Sequence, residues 1–402
     1  MPVYRQTWAG MLPSQLATNM GDIATPYAAF MLTGSATAIG LVSLAAGLPM
    51  MALTLVGGVA ADRLPRRAIL LAAQLVSMIG TGLLAAIGLA GALEVWHLAA
   101  FAAMQGTVFA FNNPSYQALL AELVPRPVLR SAIALHMTGF NAARVVGPSL
   151  AGSLLAIPAI GLAGVYGVMA TMNAVCLSSL IALRRQHDAA RIATTRVSVG
   201  NPSGWAQLTE GLTYVFTVRL LRMLLLMGMV PVLVAFPVQA MLPIFSERVY
   251  AAGPVGLGIL SASIGLGALA GSVVGAGLAH RANPIRIQIW IGVVLGVGLV
   301  CFAFAPSLWI AALLAAVIGF AQLVYMVINT GMIMSSSEAR LHGRVTSVNM
   351  LRFSVTPLAI LAATTASEAF GPQTTVAVGG AIMLGSMLAL SRVRLESPTA
   401  AS

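Results

Sequence analysis

The feature that most constrains this chain is a ladder of about twelve long apolar stretches, separated by short segments that carry almost all of its charge. Of its 21 arginines, 18 fall on one side of that ladder, and the opposite side holds only Arg248. Cytoplasmic loops of membrane proteins collect positive charge in this way, so the pattern predicts both termini in the cytoplasm. With 59% hydrophobic and 8% charged residues, the chain has too little polar surface to cover a water-soluble globule.

Each stretch has about the 20 apolar residues that a helix needs to cross a bilayer. Breaks at Gly, Pro and Arg clusters predict spans at 8–32, 36–61, 67–91, 97–120, 130–156, 160–183, 220–246, 255–279, 285–305, 308–334, 342–367 and 370–391. The one long hydrophilic interruption, 184–219, follows the sixth span. We therefore predict an N-terminal six-helix bundle at 1–183, a cytoplasmic linker at 184–219 and a C-terminal six-helix bundle at 220–402.

Weak internal repeats relate the two predicted bundles. The stretch Gly57–Arg63 corresponds to Gly275–Arg281, 218 residues later, and each follows the second span of its half. Gln105 in the fourth span has its counterpart 217 residues later in Gln322. The ordered set favours duplication, and we predict an all-α polytopic membrane protein with 12 transmembrane helices in two pseudo-symmetric six-helix bundles. Transporters of this architecture rock one bundle against the other around a midplane site.

Three charges lie deep inside the predicted spans, away from their ends: Asp22, Arg144 and Arg352. A charge in hydrocarbon costs at least about 2.5–3.5 kcal/mol, so such residues face water or a partner and mark functional sites. Asp22 and Arg144 each lie 14 residues into their spans, which at 1.5 Å per residue places both about 21 Å from the cytoplasmic edge. We predict that they meet and couple proton entry to transport, with Asp22 carrying the proton; a static buried pair that fixes helix register is the alternative.

Polar side chains at helical spacing predict a central cavity. Arg352 has no evident acidic partner in its own half, so we expect it to contact an anionic or oxygen-rich part of a substrate. Amides also hydrogen-bond across membrane helices for about 0.6 kcal/mol on average, so interhelical contact stays open as the alternative for each. Besides Arg352, the predicted substrate cavity contains Gln15, Asn19, Gln105, Asn112, Tyr116, Asn141, Gln239, Gln322, Asn329 and Asn349.

The segment 58–67, Gly-Val-Ala-Ala-Asp-Arg-Leu-Pro-Arg-Arg, resembles the signature loop G-x-x-x-D-R-x-G-R-R of the major facilitator superfamily, with Pro65 in place of glycine. A carboxylate beside three guanidiniums accepts bidentate hydrogen bonds and favours a neighbouring helix end. Charge that only sets topology is the alternative. The residues predicted to form a conformational latch are Gly58, Asp62, Arg63, Arg66 and Arg67.

Within the fifth span, the stretch Asn141–Gly152 resembles the antiporter motif G-P-x-x-G-G of proton-coupled drug exporters, with Ala151 in place of a glycine. Together with Gly21-Asp22 and Asn113-Pro114, it makes the chain similar to the enterobactin-exporter and macrolide-efflux branch of that superfamily. The resemblance implies a proton-coupled exporter of an amphipathic drug, macrolide or siderophore, working by alternating access in the bacterial cytoplasmic (inner) membrane. An importer or facilitator of a small metabolite and a transport-inactive scaffold or sensor are the alternatives.

Several residue types argue against an enzyme. The chain has no lysine, which excludes a pyridoxal-phosphate anchor and the phosphate-binding lysine of a Walker loop. Cys176 and Cys301 stand alone, far from metal-ligand spacing, and His136 is interpreted as a helix contact. We predict no enzymatic activity, no cofactor, no metal and no nucleic-acid partner. The expected partners are a small-molecule substrate, protons and the lipid bilayer, and we expect a monomer.

Overall fold

The fold is seen in a computed structural model that describes residues 2–123, 129–182, 213–278, 283–338, 341, 345, 348–349 and 352–392. The described part of the chain is helical, without a β-strand. In chain order, the helices are α1 (Pro2–Thr33), α2 (Ala36–Arg63), α3 (Arg66–Leu89), α4 (Val95–Leu123), α5 (Leu129–Leu155), α6 (Gly161–Ala182), α7 (Arg219–Val234), α8 (Phe236–Ile244), α9 (Gly253–Leu278), α10 (Pro284–Ala303), α11 (Leu308–Ser335), α12 (Thr356–Phe370) and α13 (Pro372–Ser391).

The predicted all-α membrane fold is confirmed. Within the described ranges, nine helical segments are long and apolar enough to cross a membrane. Helices α1, α4 and α5 are not among the nine, and these are the helices of the first half that hold Asp22, Asn112 and Arg144.

Proline breaks the seventh predicted span, 220–246, which was expected as one helix. Because a proline has no backbone N–H, Pro231 inside α7 and Pro237 in the first turn of α8 each remove a helical hydrogen bond. The segment forms α7, then α8, then a π-helical turn at Phe245–Val249. In the eleventh predicted span, 342–367, the 3₁₀ turn Arg352–Val355 precedes α12, which has a proline in its first turn. Both irregular segments lie next to the site described below.

The chain divides into two compact units. Unit 1 contains Met1–Thr33 and Val42–Gly204, and unit 2 contains Gly34–Leu41 and Trp205–Ser402. The predicted linker, 184–219, lies largely outside the described residues, and the domain boundaries stay a prediction.

The first turns of α2 belong to unit 2, and hydrogen bonds at the N-terminal end of this helix connect it to other residues of that unit. The carboxylate of Glu368 accepts a hydrogen bond from the backbone nitrogen of Ala36 at 2.6 Å. Arg248 donates to the carbonyl oxygen of Gly34 and lies 3.9 Å from the Glu368 carboxylate. A carboxylate at a helix N-terminus satisfies a free N–H and favours the helix dipole.

Each unit contains a close contact between two of its own helices at a glycine, and the two contacts occupy corresponding positions. A Cβ added to Gly57 on α2 would lie 2.1 Å from the carbonyl oxygen of Ala110 on α4, so only glycine permits this approach. In unit 2, a Cβ on Gly275 of α9 would lie 3.2 Å from the Cβ of Val327 on α11. Gly275 follows Gly57 by 218 residues, and Val327 follows Ala110 by 217. These two contacts therefore match the spacing of the predicted repeat.

Candidate functional site

In unit 1, α1 packs against α5 and α6. A Cβ on Gly139 of α5 would lie 2.9 Å from the Leu12 side chain, and one on Gly147 would lie 2.7 Å from the Cβ of Asn19. The contacts advance in the same direction along both helices, so α1 and α5 are parallel. Asn19 is buried in this crossing, and its amide nitrogen donates to the carbonyl oxygen of Gln15 at 2.7 Å.

This register sets the distance between the two charges of unit 1. It places Arg144 level with about Gln15, and Asp22 is about 10 Å further along α1 at 1.5 Å per residue. Helix α1 begins at Pro2, six residues before the predicted start of the first span. The coupling of Asp22 with Arg144 stays a prediction. No ion pair joins these two described residues, yet their charges interact electrostatically.

Asp22 is exposed although it belongs to a long helix of the bundle, and Arg144 is partly buried. Thr18, one turn before Asp22, is exposed too, and Gln15 is partly exposed. These three residues follow at i, i+3 and i+7, so they share the stripe of α1 that its neighbours leave uncovered. The buried Oε1 atom of Gln15 has no hydrogen-bond partner within the described structure. A carboxylate in such a stripe needs water or a cation beside it.

The other residues of unit 1 that were predicted to line the cavity have different environments. Gln105 on α4 accepts a hydrogen bond from the Ser77 hydroxyl of α3 at 3.0 Å, so it links two helices. Asn112 is partly buried, and its Oδ1 atom has no hydrogen-bond partner within the described ranges. Tyr116 lies in a buried apolar cluster with Leu70 of α3 and Leu180 of α6. The side chain of Asn141 lies outside the described residues.

The signature loop is partly described. Arg67 donates from Nη2 and Nε to the carbonyl oxygen of Leu180, at 2.5 and 3.2 Å, and so binds the C-terminal end of α6. Carbonyls at a helix C-terminus lack intrahelical donors and attract cations, so Arg67 stabilises unit 1 itself. Arg66 donates to the Ala61 carbonyl oxygen at 3.3 Å. Arg63 is exposed and Gly58 partly exposed, whereas the Asp62 side chain lies outside the described residues.

In unit 2, Arg352 is 3% exposed and is held by Asn329 of α11. Arg352 Nη1 donates to Asn329 Oδ1 at 2.6 Å, and the Asn329 amide nitrogen donates to the Leu224 carbonyl oxygen of α7 at 2.9 Å. Asn329 therefore connects the guanidinium to the backbone of α7. Besides this hydrogen bond, the guanidinium carbon lies 4.9 Å from the ring centroid of Phe353, in a cation–π contact.

Helix α7 is shaped to receive this arginine. A Cβ on Gly228 would lie 2.0 Å from Arg352 Nη1 and 2.6 Å from Asn329 Oδ1, so any side chain there would displace both groups. Pro231 leaves the carbonyl oxygen of Met227 without its helical donor, and the Tyr325 hydroxyl donates to that oxygen at 2.9 Å. Gln322, Tyr325 and Asn329 follow at i, i+3 and i+7 on the same face of α11.

A small, partly open pocket adjoins Arg352. It has a volume of about 10 Å³, which is room for about one water molecule, and Gln322, Tyr325, Phe236 and Phe353 contribute to its lining. Phe236 and Phe353 meet edge to face, with centroids 5.7 Å apart. Gln322 accepts from Gln239 Nε2 at 3.4 Å. Asn349, the remaining predicted residue, is buried, and its Oδ1 has no partner in the described structure.

Sequence reasoning missed Gly228 and Pro231 as parts of this site, and it assigned Tyr325 only apolar contact and no donor role. A signal for that role existed, because a proline inside a membrane helix frees a carbonyl that needs a donor, and Tyr325 lies on the polar stripe of α11. Nothing in the sequence pairs Gly228 with Arg352, since that contact depends on how α7 approaches the 3₁₀ turn. Across the described residues, no group of three or more His, Cys, Asp or Glu side chains is placed to hold a metal ion.

Comparisons with known proteins agree with this architecture. A family model described as "transmembrane secretion effector" matches residues 1–402. The multidrug efflux pump Tap of Mycolicibacterium fortuitum is 28% identical over 367 residues, covering 88% of this chain and 86% of the pump. The macrolide efflux protein A of Streptococcus pyogenes is 22% identical, with 85% and 83% covered. The enterobactin exporter EntS of Salmonella typhi is 27% identical, with 86% and 80% covered.

Solved structures resemble the chain in fold. The nucleoside transporter NupG matches with a TM-score of 0.72 at 12% identity, covering 98% of this chain and 100% of that one. A bacterial homologue of the iron transporter ferroportin, in its inward-facing state, matches with a TM-score of 0.69 at 15% identity, covering 96% and 98%. At these identities the likeness extends to the fold alone.

Proposed function

We propose that this chain, which belongs to the transmembrane secretion effector family of the major facilitator superfamily, exports an amphipathic small organic molecule in exchange for protons by alternating access. Its family and relatives are membrane transporters and not enzymes, and the chain is a multi-pass membrane protein. The observation that carries the export proposal is similarity along most of the chain to relatives named as drug, macrolide and siderophore efflux proteins.

The proton-coupling part of the proposal depends on Asp22. Its carboxylate is exposed on a stripe of α1, interacts electrostatically with Arg144 and forms no ion pair with it. An acid with no fixed counterion can take up a proton from water and release it when a cation approaches. Movement of Arg144 relative to Asp22 during the transport cycle would then change the proton affinity of the carboxylate, which is the requirement for exchange.

We also propose a location and an orientation. The bacterial efflux relatives support the cytoplasmic membrane, and the 18 of 21 arginines on one predicted side support both termini inside. It works as a monomer, with one cavity per chain. The loop at Gly58–Arg67 acts as the conformational latch in this scheme, and Arg67 anchors it to α6.

The test uses inside-out membrane vesicles that contain the full chain. Uptake of ethidium, of a labelled macrolide and of a labelled catecholate siderophore is followed with the proton gradient present and after its collapse. We expect gradient-dependent uptake of at least one probe, about tenfold lower in Asp22→Asn and retained in Asp22→Glu, with Thr18→Val on the same stripe as the control.

Each other outcome selects a different function. Gradient-driven uptake that is unchanged in Asp22→Asn removes that residue from coupling. Movement in both directions without a gradient indicates a facilitator, and accumulation only in right-side-out vesicles indicates an importer. Absence of transport for every probe and for a wider panel of metabolites supports a scaffold or sensor on the same fold.

A further inference from the structure

Building on the proposed export function, we propose that the unit 2 pocket binds the anionic oxygen of an amphipathic acid, a carboxylate or phenolate carried on an aromatic or apolar body. The pocket contains Arg352 and Gln322 as donors and Phe236 and Phe353 as an aromatic wall. This assigns the acidic group of the substrate to one defined place, and it excludes a cationic group from that place.

The first argument is charge. Arg352 stays protonated at any physiological pH, and its guanidinium has five N–H donors and no acceptor. Among the described residues it forms no ion pair, and the groups that it contacts, Asn329 and Phe353, are neutral. A buried cation without a counterion is costly, so the site has an uncompensated demand for negative charge.

The second argument is the count of donors and acceptors. Arg352 Nε and Gln322 Nε2 are buried and have no hydrogen-bond partner within the described structure. The two acceptors bonded within the site are in use, since Asn329 Oδ1 accepts from Arg352 and Gln322 Oε1 accepts from Gln239. Arg352 Nε and Gln322 Nε2 are therefore left as donors for a ligand that supplies acceptor atoms.

The third argument is positioning. The gap at Gly228 and the hydrogen bond from Asn329 to α7 fix the guanidinium, so little side-chain freedom is lost when an anion binds. The pocket is only large enough for an oxygen-sized group. The acid oxygen enters it, and the apolar body of the ligand stays outside, against the edge-to-face pair of Phe236 and Phe353.

The test measures binding to the purified full-length protein in phosphatidylcholine nanodiscs without a proton gradient, so its result does not depend on transport. The probes are 2-naphthoate, neutral 2-naphthamide and cationic 2-naphthylmethylamine, which share one ring system. We expect 2-naphthoate to bind about tenfold or more tightly than the amide, and the amine to bind most weakly. Equal affinity for the three probes, tighter binding of the amine, or no binding of 2-naphthoate at millimolar concentration overturns the proposal.

Two variants separate recognition from simple helix contact. Arg352→Gln should lose the preference for the acid over the amide, whereas Arg352→Lys should keep part of it. Gln322→Glu places a carboxylate in the same pocket, so we expect it to raise the thermal stability of the protein and to weaken 2-naphthoate binding about tenfold. If the arginine serves only as an interhelical contact, Gln322→Glu will stabilise the protein and leave binding unchanged, which also overturns the proposal. This second variant keeps Arg352, so the test does not depend on Arg352→Gln folding.

A lipid headgroup offers the same anionic chemistry as the acid. Replacing part of the phosphatidylcholine by phosphatidylglycerol distinguishes the two occupants. An unchanged affinity for 2-naphthoate supports a substrate site. A competitive loss of affinity identifies the anionic lipid as the occupant and contradicts the proposal. Efflux that fails in vesicles while 2-naphthoate binding persists would refute the export function alone.

Discussion

In unit 1, Asp22 lies exposed on α1 and shares no ion pair with Arg144, whereas in unit 2 Arg352 is buried and is held by Asn329, Phe353 and the gap at Gly228. Both arrangements use a stripe with the same spacing, Gln15, Thr18 and Asp22 on α1 and Gln322, Tyr325 and Asn329 on α11. The stripe of α1 is left uncovered, and that of α11 is packed against α7. We interpret Asp22, which has no ion pair, as suited to exchanging protons, and the rigidly held cation Arg352 as suited to recognising a ligand.

The comparison implies that substitutions around Arg352 in unit 2 lower the stability of the protein, whereas substitutions of Asp22 change transport without changing stability.

The largest effect on stability is expected for Asn329→Leu. It leaves Arg352 buried without its hydrogen-bond acceptor, which costs about 1.5–3 kcal/mol of unfolding free energy. Thermal unfolding of the purified protein in detergent measures the loss. Asn329→Asp is the matched control: it keeps an acceptor for Arg352 but loses the N–H donated to the Leu224 carbonyl oxygen, so it should lose less stability than Asn329→Leu.

The next effect is expected for Gly228→Ala. The added Cβ would meet Arg352 and Asn329, so the variant should lose about 1–3 kcal/mol through strain. Gly385→Ala on α13, where a Cβ meets nothing within 4 Å, is the control in the same unit and should be neutral or slightly stabilising. Equal thermal stability of the two variants would show that the packing of Arg352 against α7 is not tight.

A smaller effect is expected for Tyr325→Phe. The Met227 carbonyl loses the hydroxyl donor that replaces the missing N–H of Pro231, at a cost of about 0.5–1.5 kcal/mol. Tyr250→Phe is the control, because the Tyr250 hydroxyl donates to the Ala305 carbonyl over a longer 3.4 Å contact. A melting temperature that falls no further in Tyr325→Phe than in Tyr250→Phe contradicts the assignment of this donor.

The smallest stability effect is expected for Asp22→Asn. Since the exposed carboxylate forms no ion pair with a described residue, its replacement should change the unfolding free energy by no more than about 0.5 kcal/mol. The same protein preparation, reconstituted in vesicles, should show the loss of gradient-dependent transport described above. A large loss of stability in this variant would indicate a structural acid and would remove the contrast between the two units.

Much of the fold was predictable because its causes can be read along the chain. Each apolar run of membrane length is local, and the arginine asymmetry and the repeat depend only on the order of residues, so the all-helical membrane fold followed from them. The individual site residues were less predictable. Tyr116 and Asn112 are four residues apart on α4, yet Tyr116 packs into the core with Leu70 and Leu180, because helix neighbours decide which part of a face is covered.

By itself, the sequence determined that the chain is a helical membrane protein of duplicated design, and that Asp22, Arg144 and Arg352 are the charges deep inside its predicted spans. Tertiary structure decided how those charges are held: the parallel register of α1 and α5 separates Asp22 from Arg144, and the approach of α7 places Gly228 beside Arg352. The physical reason is that the tendency of a helix to enter the membrane is the sum of the hydropathies of its own residues, which the sequence lists. Distances between side chains on different helices depend on crossing points, where one glycine or proline sets which groups meet.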